Sequence, residues 1–399
     1  MAADSAPAIP LAALIEEARQ KNPEIRATMH SYQAADHMAK AAGALPDTQI
    51  MVQHLSVGSP RPLAGYTNSD FAYIGLGAAQ EFPWPGKRGL RQEAAGLQAR
   101  AMRGESEAVT RTVVEQIKIA YYKLAYLQQT FNILLRDDQL LSEMEQIAES
   151  RYRVGKGNQQ EVLKAQLQHT RILQEINLHH REQADQQALI KRLLGRRQDS
   201  SDVVTETLRE RALPADDSEF FRQASETNPE VAARKAMADR AGKMVELSRK
   251  EFRPDFGVQY MYQNTDRKFR DYYMVTFTVT LPNRSRRRAE LAQALEDQQA
   301  ASAALDAETQ SRMAEVREQY ELAKLSGEQL KIYREGLMPQ AEATFRSAMA
   351  AYQANRQDFE TLLSSFRDVL DFEEQYQKEL SEHESALARL ESLTGVTLP

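Results

Sequence analysis

The 399-residue sequence contains no cysteine. Disulfide bonds, thiolate zinc sites and cysteine nucleophiles are therefore excluded, and the redox compartment stays open. It also offers no N-terminal cysteine for lipid attachment. Met1-Ala2-Ala3-Asp4 lacks the basic region and apolar run of a signal peptide. We expect either a cytosolic protein or an exported one whose signal has been removed. Nowhere do 18 apolar residues run together, so no transmembrane helix is expected. Positive charge is not in excess: 57 acidic residues face 51 basic ones, a net charge of −6. Nucleic acid is accordingly not expected as a partner. No phosphate loop, Gly-x-Ser-x-Gly or His-Glu-x-x-His occurs, so neither enzymatic activity nor a cofactor is expected.

Proline is the most telling shortage. None occurs between Pro85 and Pro214, and Pro339 stands alone between Pro282 and Pro399. Glycine is also sparse there. Within these intervals apolar residues recur every seven, at Val113, Ala120, Leu127, Leu134, Leu141 and Ala148, beside Ile117, Leu124 and Phe131. The second interval shows Val316, Ala323, Leu330 and Leu337 beside Met313 and Tyr320. This is the alternation of a coiled-coil seam. A helix over Lys87–Arg153 would run ~100 Å at ~1.5 Å per residue. Val154-Gly155-Lys156-Gly157 interrupts the first pattern and Ala354-Asn355-Arg356 the second. Periodicity resumes over Glu161–Leu194 and Phe359–Leu393, so two long antiparallel hairpins are expected. Pro339 should disturb its helix, because it removes a backbone hydrogen bond.

The second half repeats the first. Asn22-Pro23-Glu24-Ile25 is answered by Asn228-Pro229-Glu230-Val231, and Pro46-Asp47 by Pro254-Asp255. Lys87-Arg88 is answered by Arg286-Arg287, Tyr152 by Tyr352, and Val162-Leu163 by Leu362-Leu363. Leu193-Leu194-Gly195 is answered by Leu393-Thr394-Gly395. The order argues for a duplicated unit of helix, two strands and two long helices. We assign residues 1–199 to the first repeat, 200–217 to a polar linker and 218–399 to the second. The opening helices should span Leu11–Ala42 and Ser218–Phe252.

Between the short and long helices the period changes to two. Tyr273, Val275, Phe277, Val279 and Leu281 alternate with Met274, Thr276, Thr278 and Thr280. Strands are expected near residues 47–57, 71–82, 256–264 and 272–281. Each approaches the ~9–11 residues that a tilted strand needs to cross a bilayer. Aromatics at their ends (Tyr66, Phe71, Tyr73, Phe82, Trp84, Tyr272, Tyr273) fit an interfacial girdle. Four strands cannot close a membrane barrel, since about eight are needed. Either several chains share one barrel, or a small soluble sheet is covered by helices.

Four segments make the whole pattern resemble the TolC family of outer-membrane efflux channels. They are Asn22-Pro23-Glu24, Glu81-Phe82-Pro83-Trp84-Pro85-Gly86-Lys87-Arg88, Tyr152-Arg153-Val154-Gly155-Lys156-Gly157, and the final Leu393-Thr394-Gly395. The Phe-Pro-Trp-Pro-Gly-Lys-Arg run is most similar to the CusC and CzcC branch, which serves heavy-metal efflux. The resemblance implies a mainly α chain with a membrane β-barrel portion, assembled as a homotrimer. It implies a passive duct among outer-membrane lipids, joined by a periplasmic adaptor protein to an inner-membrane efflux pump. The location implied is the Gram-negative outer membrane and periplasm. Two other readings are a soluble structural coiled-coil protein with a small local sheet, and a type I protein-secretion duct.

The resemblance also implies site residues. Val154, Gly155 and Lys156, with Ala354, Asn355 and Arg356, fall on the hairpin tips where an adaptor docks. Lys156 replaces the family's leucine there. Glu161 and Tyr352 fall on the periplasmic gate. Gln357 stands where an arginine is expected, and Thr361 and Ser364 where two aspartates are. Tyr273, Val275, Phe277, Val279 and Leu281 would face lipid. Lys87, Arg88, Arg91, Arg284, Arg286, Arg287 and Arg288 form either a basic collar at the membrane or ordinary helix-start charges. His179 and His180 are adjacent, so they point apart and do not chelate as a pair four residues apart would. No metal site is expected.

Overall fold

The computed structural model describes residues 7–56, 72–214, 218–264 and 271–398. Two helices, α1 (Leu11–Lys21) and α2 (Pro23–Ala42), open the chain. Strands β1 (Gln49–Leu55) and β2 (Tyr73–Phe82) follow, then α3 (Lys87–Arg153) and α4 (Gln159–Leu193). The same succession returns as α5 (Ser218–Thr227), α6 (Pro229–Lys250), β3 (Asp255–Asn264), β4 (Tyr272–Thr280), α7 (Arg284–Ile332), α8 (Met338–Gln353) and α9 (Phe359–Thr394). Of the expected girdle, Tyr66 and Phe71 lie outside the described residues. So do Val57, most of both inter-strand loops and residues 215–217 of the linker.

The chain forms two compact units, each drawing on both halves. One takes in residues up to Thr28, Ser106–Pro229 and Thr309–Pro399; the other takes in Met29–Glu105 and Glu230–Glu308.

In the first unit, the single helix expected at each start is two helices. Pro23 cannot donate a backbone hydrogen bond, and the Asn22 side chain starts a new helix instead. Asn22 Oδ1 accepts from the backbone N–H of Glu24 at 2.8 Å and of Ile25 at 3.1 Å. Its Nδ2 donates to the carbonyl of Leu193, at the end of α4, at 2.8 Å. Asn228 Nδ2 does the same to the carbonyl of Leu393, in the last turn of α9, at 3.1 Å. The opening and closing motifs of each half are thus bonded partners. Gly195 enables the first meeting: its φ is +66°, and a Cβ there would lie 2.9 Å from the Lys21 carbonyl oxygen.

The heptad row of α3 is the core of this unit. Val113, Ala120, Leu127, Leu134, Leu141 and Ala148 are all buried. Burying each leucine contributes ~1.5–3 kcal/mol, several times a surface i,i+4 ion pair at ~0.3–0.5. In α7 the row Val316, Ala323, Leu330 is buried, but Leu337 is not fully so. A π turn over Tyr333–Leu337 intervenes, closed by the Met338 N–H on the Tyr333 carbonyl. It inserts a residue into the helix just ahead of Pro339 and shifts the buried stripe to Ala341, Ala348 and Tyr352. The disturbance expected at Pro339 is taken up there.

The polar segment after α4, expected as the linker, is held by hydrogen bonds and ion pairs. Val203 is fully buried, and its N–H and carbonyl both bond the Gln187 side chain, at 2.9 and 2.7 Å. Arg211 reaches Glu384 at 2.6 Å and Glu391 at 3.0 Å.

The second unit holds one antiparallel sheet in the order β1-β2-β3-β4. Its register puts Ile50, Ala78, Tyr260 and Val275 in one row, and Val52, Leu76, Tyr262 and Tyr273 in another on the same face. β1 and β4 are the edge strands. β4 ends at Thr280, so Leu281 lies just beyond it, next to Pro282, which has no N–H for the ladder.

Candidate functional site

The two hairpin turns have one design. The α3–α4 turn closes with Gly155 N–H on the Tyr152 carbonyl at 3.0 Å and Lys156 N–H on the Arg151 carbonyl at 2.8 Å. The α8–α9 turn closes with Asn355 N–H on Tyr352 at 3.0 Å and Arg356 N–H on Ala351 at 2.8 Å. Both are left-handed helix ends of the Schellman type. Gly155 has φ +71° and Asn355 φ +59°, a backbone region that glycine and asparagine tolerate best. Each following helix is capped: Asn158 accepts from Glu161 N–H at 3.0 Å, and Asp358 from Thr361 N–H at 2.8 Å. Val154, Gly155, Lys156, Ala354, Asn355 and Arg356 are all exposed.

Two of the gate residues named from sequence meet. Tyr352 Oη donates to Glu161 Oε2 at 2.9 Å, joining the end of α8 to the start of α4. The Tyr352 ring does not line a surface of the chain; it is fully buried. It packs edge-on against Phe359 at 5.5 Å, within a cluster that includes Ala148, Leu362 and Phe366. Burial, and then the Glu161 carboxylate, push the Tyr352 phenol above its ordinary value. The other three do not join the pair. Gln357 is half-buried, Ser364 is exposed, and the Thr361 hydroxyl donates to Asp358 at 2.7 Å.

Sequence reasoning missed Arg151. Its guanidinium carbon lies 4.2 Å from the centroid of the Tyr352 ring. The same group donates to the Tyr352 carbonyl, to Asn355 Oδ1 and, at 3.4 Å, to the Lys156 carbonyl. One side chain therefore holds both turns. The signal was a break in the repeat: Arg151 is answered by Ala351 at the same offset that pairs Tyr152 with Tyr352.

Tyr273, Val275, Phe277 and Val279 of β4 are exposed, Phe277 to 75%, and so is Leu281 just beyond the strand, to 77%. Ile50, Val52 and Leu76 are exposed beside them. Among the described residues nothing covers this face.

The basic residues behind the strands are mostly tied into the fold. Lys87 is buried, with Asp255 at 2.9 Å and Glu251 at 3.1 Å. Arg88 donates twice to the Gly43 carbonyl, at 3.0 and 2.7 Å. Arg91 and Arg287 share Glu251, and Arg286 bonds Glu290. Helix-start anchoring accounts for these five, and Arg284 and Arg288 remain exposed. His179 lies 3.7 Å from Glu374. Among the described residues no three His, Asp or Glu side chains are grouped to hold a metal ion. Nor is any described helix long and apolar enough to cross a membrane.

Comparison with known proteins bears on both regions. The family model described as outer membrane efflux protein matches residues 14–196 and 221–396. No curated protein matches the chain. Among solved structures, CusC superimposes with a TM-score of 0.84 at 17% identity, over 97% of this chain and 92% of CusC. VceC of Vibrio cholerae gives 0.81 at 19% identity, over 96% of each chain. MtrE of Neisseria gonorrhoeae, in its open state, gives 0.81 at 17% identity, over 96% of this chain and 88% of MtrE. At these identities the likeness is one of fold.

Proposed function

The chain belongs to the outer membrane efflux protein family, and on that premise we propose how its parts form the exit duct of a tripartite efflux pump. Channels of this family are trimeric, non-enzymatic transport ducts of the Gram-negative outer membrane that extend into the periplasm. The carrying observation is a sheet with two open edges and one exposed apolar face. In lipid, each unpaired backbone group on such an edge costs several kcal/mol. Pairing β4 of one copy with β1 of the next satisfies both edges. Four strands from each of three copies make twelve, within the range of outer-membrane barrels. Tyr273, Val275, Phe277, Val279 and Leu281 then face lipid.

The exposed turns at Val154-Gly155-Lys156 and Ala354-Asn355-Arg356 are the docking points for a periplasmic adaptor, which links the duct to an inner-membrane pump. Lys156 makes the first of these contacts a charged one. Glu161 and Tyr352 hold the periplasmic mouth, with Gln357, Thr361 and Ser364 as its neutral remainder. The cargo is metal ions or small toxic compounds. This reading rests on the likeness of the Phe82–Arg88 segment to the heavy-metal branch. Efflux complementation tests the docking. Gly155→Pro forces a φ near −65° where +71° is needed, and Lys156→Glu reverses a charge. Both should abolish complementation while leaving trimers intact. Full complementation by both contradicts the assignment.

A further inference from the structure

The face of the sheet opposite the apolar one carries a row that the duct reading leaves unused. Met51 pairs with Gly77, Gly77 with Met261, and Met261 with Met274. One line across all four strands therefore holds three methionines and a glycine. Gly77 makes the line possible. A Cβ there would lie 2.6 Å from Met261 Cε and 2.9 Å from its Sδ. At Gly75 a Cβ would meet the same sulfur at 3.3 Å. The Met261 side chain thus lies over the bare backbone of β2, fully buried, with half-buried Met51 and Met274 on either side.

Side chains of β1 and β3 meet across β2 in the same way. Gln259 Nε2 lies 3.8 Å from Met51 Sδ as its donor, and Gln263 Nε2 donates to Gln53 Oε1 at 3.4 Å. Met261 and Met274 are directly opposed on paired strands, where Cβ atoms lie ~4.5–5.5 Å apart. Met51 faces Met261 across Gly77, one strand further on, and the flexible Met261 thioether lies over that glycine on the side of Met51. The rows on either side contribute neutral Gln49, Gln53, Gln259, Gln263 and Thr276, so no cation there opposes a bound one. Thioethers are soft ligands that favour Cu⁺-like ions over hard divalent ones. They also need no deprotonation before they bind.

We propose that Met51, Met261 and Met274 form a thioether site for a soft monovalent cation of the Cu⁺/Ag⁺ class. The site lies on the inner wall of the barrel, and that location rests on the duct reading. Three copies would place nine sulfurs at one level, a surface along which such an ion exchanges between weak, equivalent sites.

Silver ion is the probe. In detergent-solubilised protein carrying ¹³C-methyl methionine, Ag⁺ should shift the resonances of these three of the thirteen methionines, and Zn²⁺ should not. Met51→Leu/Met274→Leu leaves the Met261 packing on Gly77 intact and conserves volume. This double variant should bind Ag⁺ at least about tenfold more weakly, a loss of ~1.4 kcal/mol. Adding Met261→Leu should abolish the site. Unchanged silver affinity in the double variant, or shifts spread evenly over the other methionines, overturns the proposal. The mass of the same sample separates the two readings. A trimer without the three shifts overturns the site alone. A sample that is not trimeric overturns the duct, and the shifts still decide the site, because the row lies within one chain.

Discussion

The hydroxyl of Tyr352 donates to Glu161 at 2.9 Å, while Arg151 lies over the same ring at 4.2 Å. A phenol from the second half is thereby held between a carboxylate and a guanidinium from the first. The bond to Glu161 ends on a charged acceptor, a class that contributes ~1.5–3 kcal/mol against ~0.5–1.5 for a neutral pair. The buried ring adds packing on Phe359 and its neighbours. Tyr352→Phe removes only the bond; Tyr352→Ala removes the ring too, at ~3–5 kcal/mol. Planar-bilayer recordings should rank open probability as Ala above Phe above the parent. Gln357→Ala should change little. A strong opening by Gln357→Ala with a silent Tyr352→Ala would show that the gate has been misplaced.

The two faces of β4 should respond oppositely to charge. Val275→Arg or Val279→Arg places a cation on the exposed apolar face, at a cost of ~2–4 kcal/mol near the membrane midplane. Each trimer carries that cost three times. Both variants should fail to assemble in the membrane. Thr276→Arg and Thr278→Arg, on the other face, should assemble and alter conductance. Equal tolerance of all four, read from membrane-fraction yield, contradicts the assignment of the faces.

Asn22 should matter to stability beyond its size. It caps α2 through two N–H groups and satisfies the Leu193 carbonyl from a buried position. Asn22→Ala should lower unfolding stability by ~1–3 kcal/mol, through the lost cap and an unsatisfied buried carbonyl. Asn22→Ser keeps a capping oxygen but loses the amide donor, and should fall between. Urea unfolding in detergent provides the comparison, and an unchanged midpoint for Asn22→Ala would show that this side chain does not tie α2 to the end of α4.

Much of this architecture was legible in the sequence, for physical reasons. The row from Val113 to Ala148 is strictly periodic and buried throughout, and the alternation from Tyr273 to Val279 matches the register of the sheet. Glu161 and Tyr352 stand out through the family resemblance, but their contact is not legible there. The rest depends on tertiary partners. Nothing local in Asn22-Pro23 says that its amide reaches Leu193. The rephasing at Tyr333–Leu337 reflects a π turn that a heptad count from Leu330 cannot anticipate. Arg151 is not legible from the repeat, because its counterpart is Ala351. The methionine row is invisible in sequence order, since its members come from β1, β3 and β4 and align only through the register.

The duct requires that open-edged sheets from three chains close into one membrane barrel. The mass of the detergent-solubilised protein, with bound detergent subtracted, tests it most directly. A stable particle of three times the 45.2 kDa chain is expected, losing solubility when detergent is withdrawn. A folded monomer that stays in solution without detergent would contradict it.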